Sequence, residues 1–218
     1  MVAILQFLGT NCEYDMENAF SLLKVPTQIV WHKETSLPKD TKLVVIPGGF
    51  SYGDYLRSGA IARFSPIMQS VIEFANKGGY VLGICNGFQI LLESGLLPGA
   101  MKRNENLHFI SKTCGIRVVN NDNIFLKKFQ KGEVARIPIA HADGNYYINP
   151  QDLKKLEQNG QILLEYVENP NGSVRSIAGI CNEQKNVFGL MPHPERAVEK
   201  VLGEDTGLKM LEGFLEIL

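Results

Sequence analysis

The 218-residue sequence has the size and composition of an ordinary globular domain, with 44% hydrophobic and 21% charged residues. Its 22 basic and 23 acidic side chains nearly cancel, so charge gives no reason to expect a nucleic acid or an anionic membrane as partner. The first apolar run has no basic segment before it and is too short for a signal peptide or a membrane span, which favours a cytoplasmic protein.

The first hundred residues alternate between strand patterns and helix patterns. Short aliphatic runs are typical of strands covered on both faces, and Ser65-Pro66 has the residue types of a helix N-cap and first turn. Strands are predicted at 2–7, 27–32, 42–47 and 80–84, and helices at 12–24, 66–77 and 86–95. This alternation predicts an α/β fold with a doubly wound, mostly parallel sheet.

The second half is richer in strands. They are predicted at 108–120, 133–140, 161–167, 173–182 and 186–192, with a helix at 151–159 and a closing amphipathic helix at 205–218. Such crowding favours antiparallel additions to the sheet, including a hairpin around the turn at 182–186. Because no shift in composition marks a linker, residues 1–218 are predicted to form a single domain.

The strongest local motif is GICNG at 83–87, between an apolar strand and a helix. Its glycines allow a turn tight enough to lift the central side chain above the sheet, as in a nucleophile elbow. Cys85 is therefore the candidate nucleophile, and the positive end of the helix favours an anion there. The N–H of Asn86 is placed to donate to an oxyanion. A tight turn with a buried, inert thiol is the alternative.

A second motif, MPHPE at 191–195, follows a predicted strand. Prolines favour an extended segment, in which residues two apart face the same side. His193 and Glu195 would then be neighbours, so that the carboxylate bonds one imidazole nitrogen and leaves the other for Cys85. Alone, the motif would more often be a surface turn; with the cysteine elbow it predicts a Cys–His–Glu triad.

A glycine loop, PGG at 47–49, lies at the carboxyl end of another parallel strand, where open α/β sheets place their sites. The N–H of Gly49 is the candidate for a second oxyanion donor opposite Asn86. Gln89, one helical turn after Cys85, is placed where its amide could reach a substrate. A simple glycine turn and a solvated helix position are the respective alternatives.

The remaining cysteines, Cys12, Cys114 and Cys181, lie far apart in the sequence and form no C-x-x-C pair. This spacing argues against a zinc knuckle or a thioredoxin-like motif. Buried free cysteines usually behave as small hydrophobic residues, so these three are expected to serve packing.

With these motifs in order along the chain, the sequence resembles the class I, triad-type glutamine amidotransferases. The stretches 47–62, 83–91 and 191–197 are most similar to the glutaminase subunits of phosphoribosylformylglycinamidine synthases, which act in purine biosynthesis. The resemblance covers essentially the whole chain and implies a flavodoxin-like sheet. It implies that Cys85 is the nucleophile, His193 the general base and acid, and Glu195 the residue that orients it.

The resemblance also implies a substrate site and partners. Gln89 would contact glutamine, and the segment 141–147 would bind its amino-acid end through His141 and neighbouring backbone. Ammonia would pass to an ATP-dependent synthetase subunit, in a complex with a small accessory subunit. ATP and Mg²⁺ are expected on that partner and no cofactor or metal in this chain, which has neither a P-loop nor a dinucleotide motif. Tyr52, Asp54 and Arg57 lie where the family docks against its synthetase, and a structural role for them is equally compatible with the sequence.

Two other functions remain open at this point. A thiol peptidase or esterase could use a similar elbow, but α/β-hydrolases place the acid before the histidine, whereas Glu195 follows His193. A catalytically silent scaffold subunit would not need Cys85, His193 and Glu195 together. Ammonia release from glutamine, with and without the synthetase, separates these possibilities.

Overall fold

The structure, a computed structural model, describes all residues from 1 to 218. The eleven strands are β1 (Val2–Gln6), β2 (Thr27–Trp31), β3 (Leu43–Ile46), β4 (Tyr80–Ile84), β5 (Ala100–Lys102), β6 (Ile110–Val118), β7 (Val134–His141), β8 (Asn145–Tyr147), β9 (Ile162–Tyr166), β10 (Ile177–Cys181) and β11 (Val187–Leu190). The five α-helices are α1 (Glu13–Leu22), α2 (Pro66–Asn76), α3 (Asn86–Glu93), α4 (Pro150–Gln158) and α5 (Thr206–Leu211).

Nine strands form one sheet in the order β2-β1-β3-β4-β11-β10-β9-β6-β7. The first five run parallel, and β10, β9, β6 and β7 continue the sheet with antiparallel pairing. The predicted α/β class, the parallel half and the antiparallel additions are therefore confirmed. The predicted hairpin is the pair β10–β11, in which Gly179 lies opposite Leu190.

The core follows from the sequence patterns. All four residues of β3 are buried, as expected for a strand covered on both faces, and α1 buries Met16, Ala19 and Phe20 on one side. Parallel strands end at the same edge of the sheet, so the residues after β3, β4 and β11 meet there. These segments carry the glycine loop, Cys85 and His193.

Two elements differ from the sequence expectations. The predicted closing helix is α-helical only over α5 and continues as a 3₁₀ helix from 212 to 216. Within this 3₁₀ segment, Gly213 lies so close to the Ile124 carbonyl that an added Cβ would collide with it. A small second sheet, formed by β5 and β8, was not predicted, because three-residue strands carry too short a pattern. No helix is both long and apolar enough to cross a lipid bilayer.

Candidate active site

Cys85 lies at a sharp turn between β4 and α3, with φ of 50° and ψ of −104°. A positive φ costs a residue with a side chain about 1–3 kcal/mol, and such strain persists only where the surrounding packing enforces it. Gly87 supplies that packing, because it lies against β3 and an added Cβ would collide with the Ile46 carbonyl. A Cβ on Gly83 would come within 2.7 Å of the Gly87 carbonyl. The two glycines therefore allow the tight turn that presents Cys85.

The thiol of Cys85 is enclosed by neighbouring strands. Its backbone N–H donates to the Leu190 carbonyl at 2.8 Å, which ties the turn to the end of β11. The sulfur lies 3.7 Å from the Ala140 carbonyl oxygen in β7, and the residue is 5% exposed. The antiparallel half of the sheet thus forms one wall of the site.

His193 and Glu195 form a buried pair. The imidazole Nδ1 and the carboxylate Oε1 are 2.6 Å apart, and the two side chains are 3% and 0% exposed. The backbone N–H of His193 donates to the Pro138 carbonyl at 2.8 Å, which anchors the segment to β7. The expectation of an extended segment is wrong, because residues 194–196 form a 3₁₀ turn. This turn still brings the two side chains together.

Charge and burial act in opposite directions on His193. Burial lowers the pKa of its imidazole, but the Glu195 carboxylate, the charge of Cys85 and hydrogen bonds to Cys12 and Cys85 together raise that pKa well above the usual value. The Nε2 atom has no partner at ordinary hydrogen-bonding distance. This nitrogen is therefore available for proton exchange with a substrate. The arrangement favours an imidazolium beside the Cys85 sulfur.

The glycine loop packs against the segment after β1. Gly48 accepts hydrogen bonds at 3.2 Å from the N–H groups of Asn11 and Cys12, and the Phe50 N–H donates to Gly9 at 2.8 Å. A side chain on Gly49 would clash with this segment, since its Cβ would lie 2.7 Å from the Thr10 Cα. No protein acceptor takes the Gly49 N–H. This donor is therefore available to a ligand.

The glycine loop also touches the catalytic candidates. A Cβ on Gly48 would lie 2.7 Å from Cε1 of His193, so only glycine allows the loop to approach the ring this closely. The Asn86 side chain accepts from the Ser51 N–H at 3.0 Å, which fastens the loop to the elbow. The backbone N–H of Asn86 opens α3 and has no acceptor within the helix. Loop and elbow thus bring two free N–H donors to one edge of the sheet.

Gln89 is buried rather than solvated, at 4% exposure. Its carbonyl oxygen accepts from the Asn86 side chain at 2.8 Å, and its amide donates to the Asp143 backbone carbonyl at 2.7 Å. The side chain therefore links the elbow helix to the segment 141–147. Its contact with a substrate stays a prediction.

The His141 ring is enclosed by a polar network. Its Nδ1 lies 3.0 Å from the Asn104 side-chain oxygen, and its Nε2 lies 3.5 Å from the Asn171 amide. Burial lowers the pKa of this imidazole to about 4, with a smaller contribution from His193, so the ring is neutral at pH 7. Both ring nitrogens already have partners within the protein. Any role of His141 in substrate binding would therefore be to support the neighbouring backbone, and that role stays a prediction.

Residues 52–57 form the rim beside the glycine loop. The Tyr52 hydroxyl lies 2.8 Å from Nδ1 of His32, and Arg57 makes a two-point ion pair with Glu93. Burial raises the pKa of Asp54 to about 6, with a further contribution from the charge of Asp143. Tyr55 is 75% exposed on this rim. Intrachain contacts therefore account for Tyr52 and Arg57, and docking stays a prediction.

Cys12 is the residue near the site that sequence reasoning assigned to packing alone. Its sulfur lies 3.9 Å from Nδ1 of His193 and 3.2 Å from the Arg196 guanidinium. Its place after β1, at the edge where parallel strands end, was the signal that could have found it. Cys114 and Cys181 lie in β6 and β10, and burial raises the pKa of Cys181 to about 12, as expected for an inert thiol in the core.

Cys85, His193 and two free backbone N–H groups thus meet at one edge of the sheet. A thiol beside an imidazole, which is paired in turn with a buried carboxylate, is the arrangement of nucleophilic acyl transfer. Donors fixed in the backbone suit the negative charge that develops on a carbonyl oxygen. The geometry is therefore suited to the cleavage of an amide or ester.

Comparison with known proteins identifies the family. Residues 1–209 match the model of the CobB/CobQ-like glutamine amidotransferase domain. The chain is 63% identical to phosphoribosylformylglycinamidine synthase subunit PurQ of Sulfurimonas denitrificans, across 98% of both proteins. It is 65% identical to the PurQ subunit of Wolinella succinogenes, again across 98% of both.

A solved structure agrees with this result. A chain in the structure of PurLQS from Thermotoga maritima superposes with a TM-score of 0.91 at 42% identity, covering 99% of this chain and 97% of that one. The family resemblance drawn from the three motifs is confirmed by the family model and by these full-length relatives. The chain belongs to the CobB/CobQ-like glutamine amidotransferase family.

Proposed function

We propose that this chain is the glutaminase subunit of a phosphoribosylformylglycinamidine synthase. One observation carries the proposal: the strained Cys85, the buried His193–Glu195 pair and the free N–H of Gly49 converge at one edge of the sheet. The identity of 63–65% to subunits of that synthase over nearly the whole chain supports the choice of pathway. Ammonia from glutamine then serves purine biosynthesis.

The reaction begins with attack of the Cys85 thiolate on the side-chain carbonyl carbon of glutamine. The N–H groups of Gly49 and Asn86 stabilise the resulting oxyanion. The imidazolium of His193 gives its Nε2 proton to the departing nitrogen, so that the C–N bond breaks, ammonia leaves and a glutamyl thioester remains.

Water completes the cycle. Nε2 of His193, now unprotonated, takes a proton from the water as its oxygen attacks the thioester carbonyl. Collapse of the second tetrahedral intermediate releases glutamate and the Cys85 thiolate, and the imidazolium is restored. Glu195 holds the ring through Nδ1 and stabilises its charge in both halves of the reaction.

The partners follow from the relatives rather than from this chain alone. We place the protein in a complex with a synthetase subunit and a small accessory subunit, as the name PurLQS of the similar Thermotoga maritima structure suggests. ATP and Mg²⁺ chemistry belongs to the synthetase in this proposal. Gln89 and the backbone at 141–147 hold the amino-acid end of glutamine.

Ammonia release from glutamine tests the function. We expect slow release by the isolated chain and faster release after addition of the synthetase and accessory subunits, because contacts with the partner, acting through the glycine loop at 48–49, are expected to complete the site. Absence of release in both conditions would favour a silent scaffold. Release from simple esters or peptides but not from glutamine would favour a thiol hydrolase.

A further inference from the structure

Behind the catalytic histidine lies a group of three donors, one of which, Cys12, the proposed reaction does not use. Sγ of Cys12, Nδ1 of His193 and a carboxylate oxygen of Glu195 all lie within 4.8 Å of one another, and all three residues are buried. The Cys12 sulfur is on the Nδ1 side of the ring, at 3.9 Å, whereas Nε2 is the nitrogen left for Cys85. This group therefore uses the nitrogen of His193 that is opposite the one left for Cys85.

The second oxygen of Glu195, Oε2, indicates that the group is incomplete. This oxygen is fully buried and has no hydrogen-bonding partner, and Glu195 as a whole is only 3% exposed. A buried carboxylate oxygen without a donor is costly, and a cation would satisfy it.

The chemistry and spacing of the donors suit zinc. Sulfur, imidazole nitrogen and carboxylate oxygen are the ligands that Zn²⁺ prefers, with bonds of about 2.0–2.3 Å that place tetrahedral ligands about 3.3–3.6 Å apart. The present separations, 3.9 Å from sulfur to Nδ1 and 2.6 Å from Nδ1 to Oε1, lie on either side of that range. Side-chain shifts of less than about 1 Å would reach it.

The charges also balance. A thiolate and a carboxylate cancel the two charges of Zn²⁺, so that no net charge is buried. Arg196, whose Nη2 lies 3.2 Å from the sulfur, is paired with Asp15 and its side chain is 38% exposed, which leaves it room to turn outward. The ion would take the place of two protons, one from the Cys12 thiol and one shared between His193 and Glu195.

We propose that Cys12, His193 and Glu195 form an inhibitory site for Zn²⁺. A metal on Nδ1 leaves the remaining ring proton on Nε2 of a neutral imidazole. This N–H is a weaker acid than the imidazolium, so His193 cannot give its proton to the departing nitrogen. The metal also removes the contact through which Glu195 stabilises the imidazolium. Inhibition rests on the proposed glutaminase activity, whereas binding does not.

Zinc binding is best measured in the full chain carrying Cys85→Ala, because a thiol next to Nε2 would offer a competing site. Titration against a chromophoric chelator should give one bound Zn²⁺ in this variant, and one also after the further change Cys114→Ala, a matched buried cysteine outside the group. The further change Cys12→Ala should abolish the binding. Mg²⁺ at the same concentration should not compete, since it avoids sulfur ligands.

Two results would overturn the proposal. Loss of the bound Zn²⁺ on Cys85→Ala alone would place the ion on the candidate nucleophile. Equal binding with and without Cys12 would place it elsewhere on the chain. Should Cys12→Ala unfold the protein, Cys12→Ser keeps the shape of the side chain more closely and should still weaken Zn²⁺ binding strongly, because a hydroxyl is a much poorer zinc ligand than a thiolate.

An activity measurement completes the test. Micromolar Zn²⁺ should inhibit glutamine hydrolysis by the parent complex reversibly, with recovery after addition of a chelator. The activity that remains in Cys12→Ser should be insensitive to the same concentration. Inhibition of both proteins to the same extent would contradict the site, whereas absence of hydrolysis in both would contradict the proposed function and leave the binding result standing.

Discussion

The elbow at 83–87 and the turn at 192–196 hold their functional side chains in different ways. At the elbow the backbone positions the side chain, because Gly83 and Gly87 allow the tight turn in which Cys85 has a positive φ. The Cys85 sulfur itself makes only a long contact, with the Ala140 carbonyl oxygen. At the turn the side chains position each other, through the buried imidazole–carboxylate pair of His193 and Glu195. Changes at the elbow should therefore act on placement and folding, and changes at the turn on proton affinity.

The largest effect is expected from removal of the nucleophile. Cys85→Ala should lower glutamine-dependent synthesis by the reconstituted complex more than about a thousandfold, because no other group can form the thioester. Synthesis from added ammonium should persist, since the synthetase site is untouched. Cys114→Ala is the matched control and should preserve both rates. Equal loss of both rates in Cys85→Ala would contradict the assignment.

At the turn, Glu195→Gln preserves shape and removes charge. We expect a loss of about a hundredfold or more in kcat/KM for glutamine, since the ring loses the partner that orients and stabilises its charged form. The Glu195 carboxylate raises the pKa of His193, so without it the imidazolium loses its proton at lower pH. The alkaline limb of kcat/KM against pH should therefore move to lower pH.

The control for this change is Glu133→Gln, which removes a carboxylate from a surface ion pair with Lys209. Its pH profile should match that of the parent. An alkaline limb that stays in place in Glu195→Gln would mean that His193 does not set it.

At the elbow, Gly87→Ala tests placement by the backbone. The added methyl group would collide with the Ile46 carbonyl, so we expect a loss of about 1–3 kcal/mol in the free energy of unfolding and a lower melting temperature. Gly115→Ala is a milder comparison, because its Cβ would meet the movable Val167 side chain at 3.2 Å. It should change stability by no more than about 0.5 kcal/mol. Equal stability of the two variants would show that the elbow is not tightly packed.

The smallest effect is expected at the rim beside the elbow. Burial and the charge of Asp143 raise the pKa of Asp54 to about 6, above its ordinary value of 3.8, so its ionisation destabilises the fold. The stability that the neutral Asp54 carboxyl gives to the fold is complete below about pH 4. It is lost as the pH rises through 6. Asp54→Asn should therefore gain about 1 kcal/mol over the parent at pH 8, since Asp54 is only half-buried and solvent screens its charge.

Melting temperatures between pH 4.5 and pH 8 measure this gain. Asp122→Asn supplies the control: its ion pair with Lys185 lowers the pKa of Asp122 below the ordinary 3.8, so the stability it contributes is complete across this range and the variant should show a loss that does not depend on pH. A gain for Asp54→Asn that does not depend on pH would contradict the titration argument.

Much of the elbow and the turn could be predicted because their signals are local. GICNG places a small-residue turn between a strand and a helix, and His193 and Glu195 are two positions apart, so either an extended segment or a 3₁₀ turn can bring them together. The alternation of strands and helices likewise predicts that the strands of the first half run parallel, without knowledge of long-range contacts.

Other features depend on contacts between distant segments. The place of Cys12 after a parallel strand indicates the edge of the sheet at which it lies. Its contact with His193 depends on how the segment after β1 packs, which no spacing in the sequence reports. The enclosure of His141 depends on Asn104 and Asn171, which lie 37 and 30 residues away. The close approach of Gly213, in the 3₁₀ segment after α5, to Ile124 likewise joins segments distant in the sequence. Such features follow from tertiary packing, which overrides local pattern.

The central claim is that the Cys85 sulfur is the atom that attacks glutamine. The most direct test is labelling of the reconstituted complex with a diazo ketone analogue of glutamine, followed by mass mapping of the modified peptide. We predict one label, on Cys85, and none in Cys85→Ala. Burial raises the pKa of Cys12, offset in part by its hydrogen bond to His193, so that thiol should not react. A label on Cys12, or undiminished labelling of Cys85→Ala, would contradict the account.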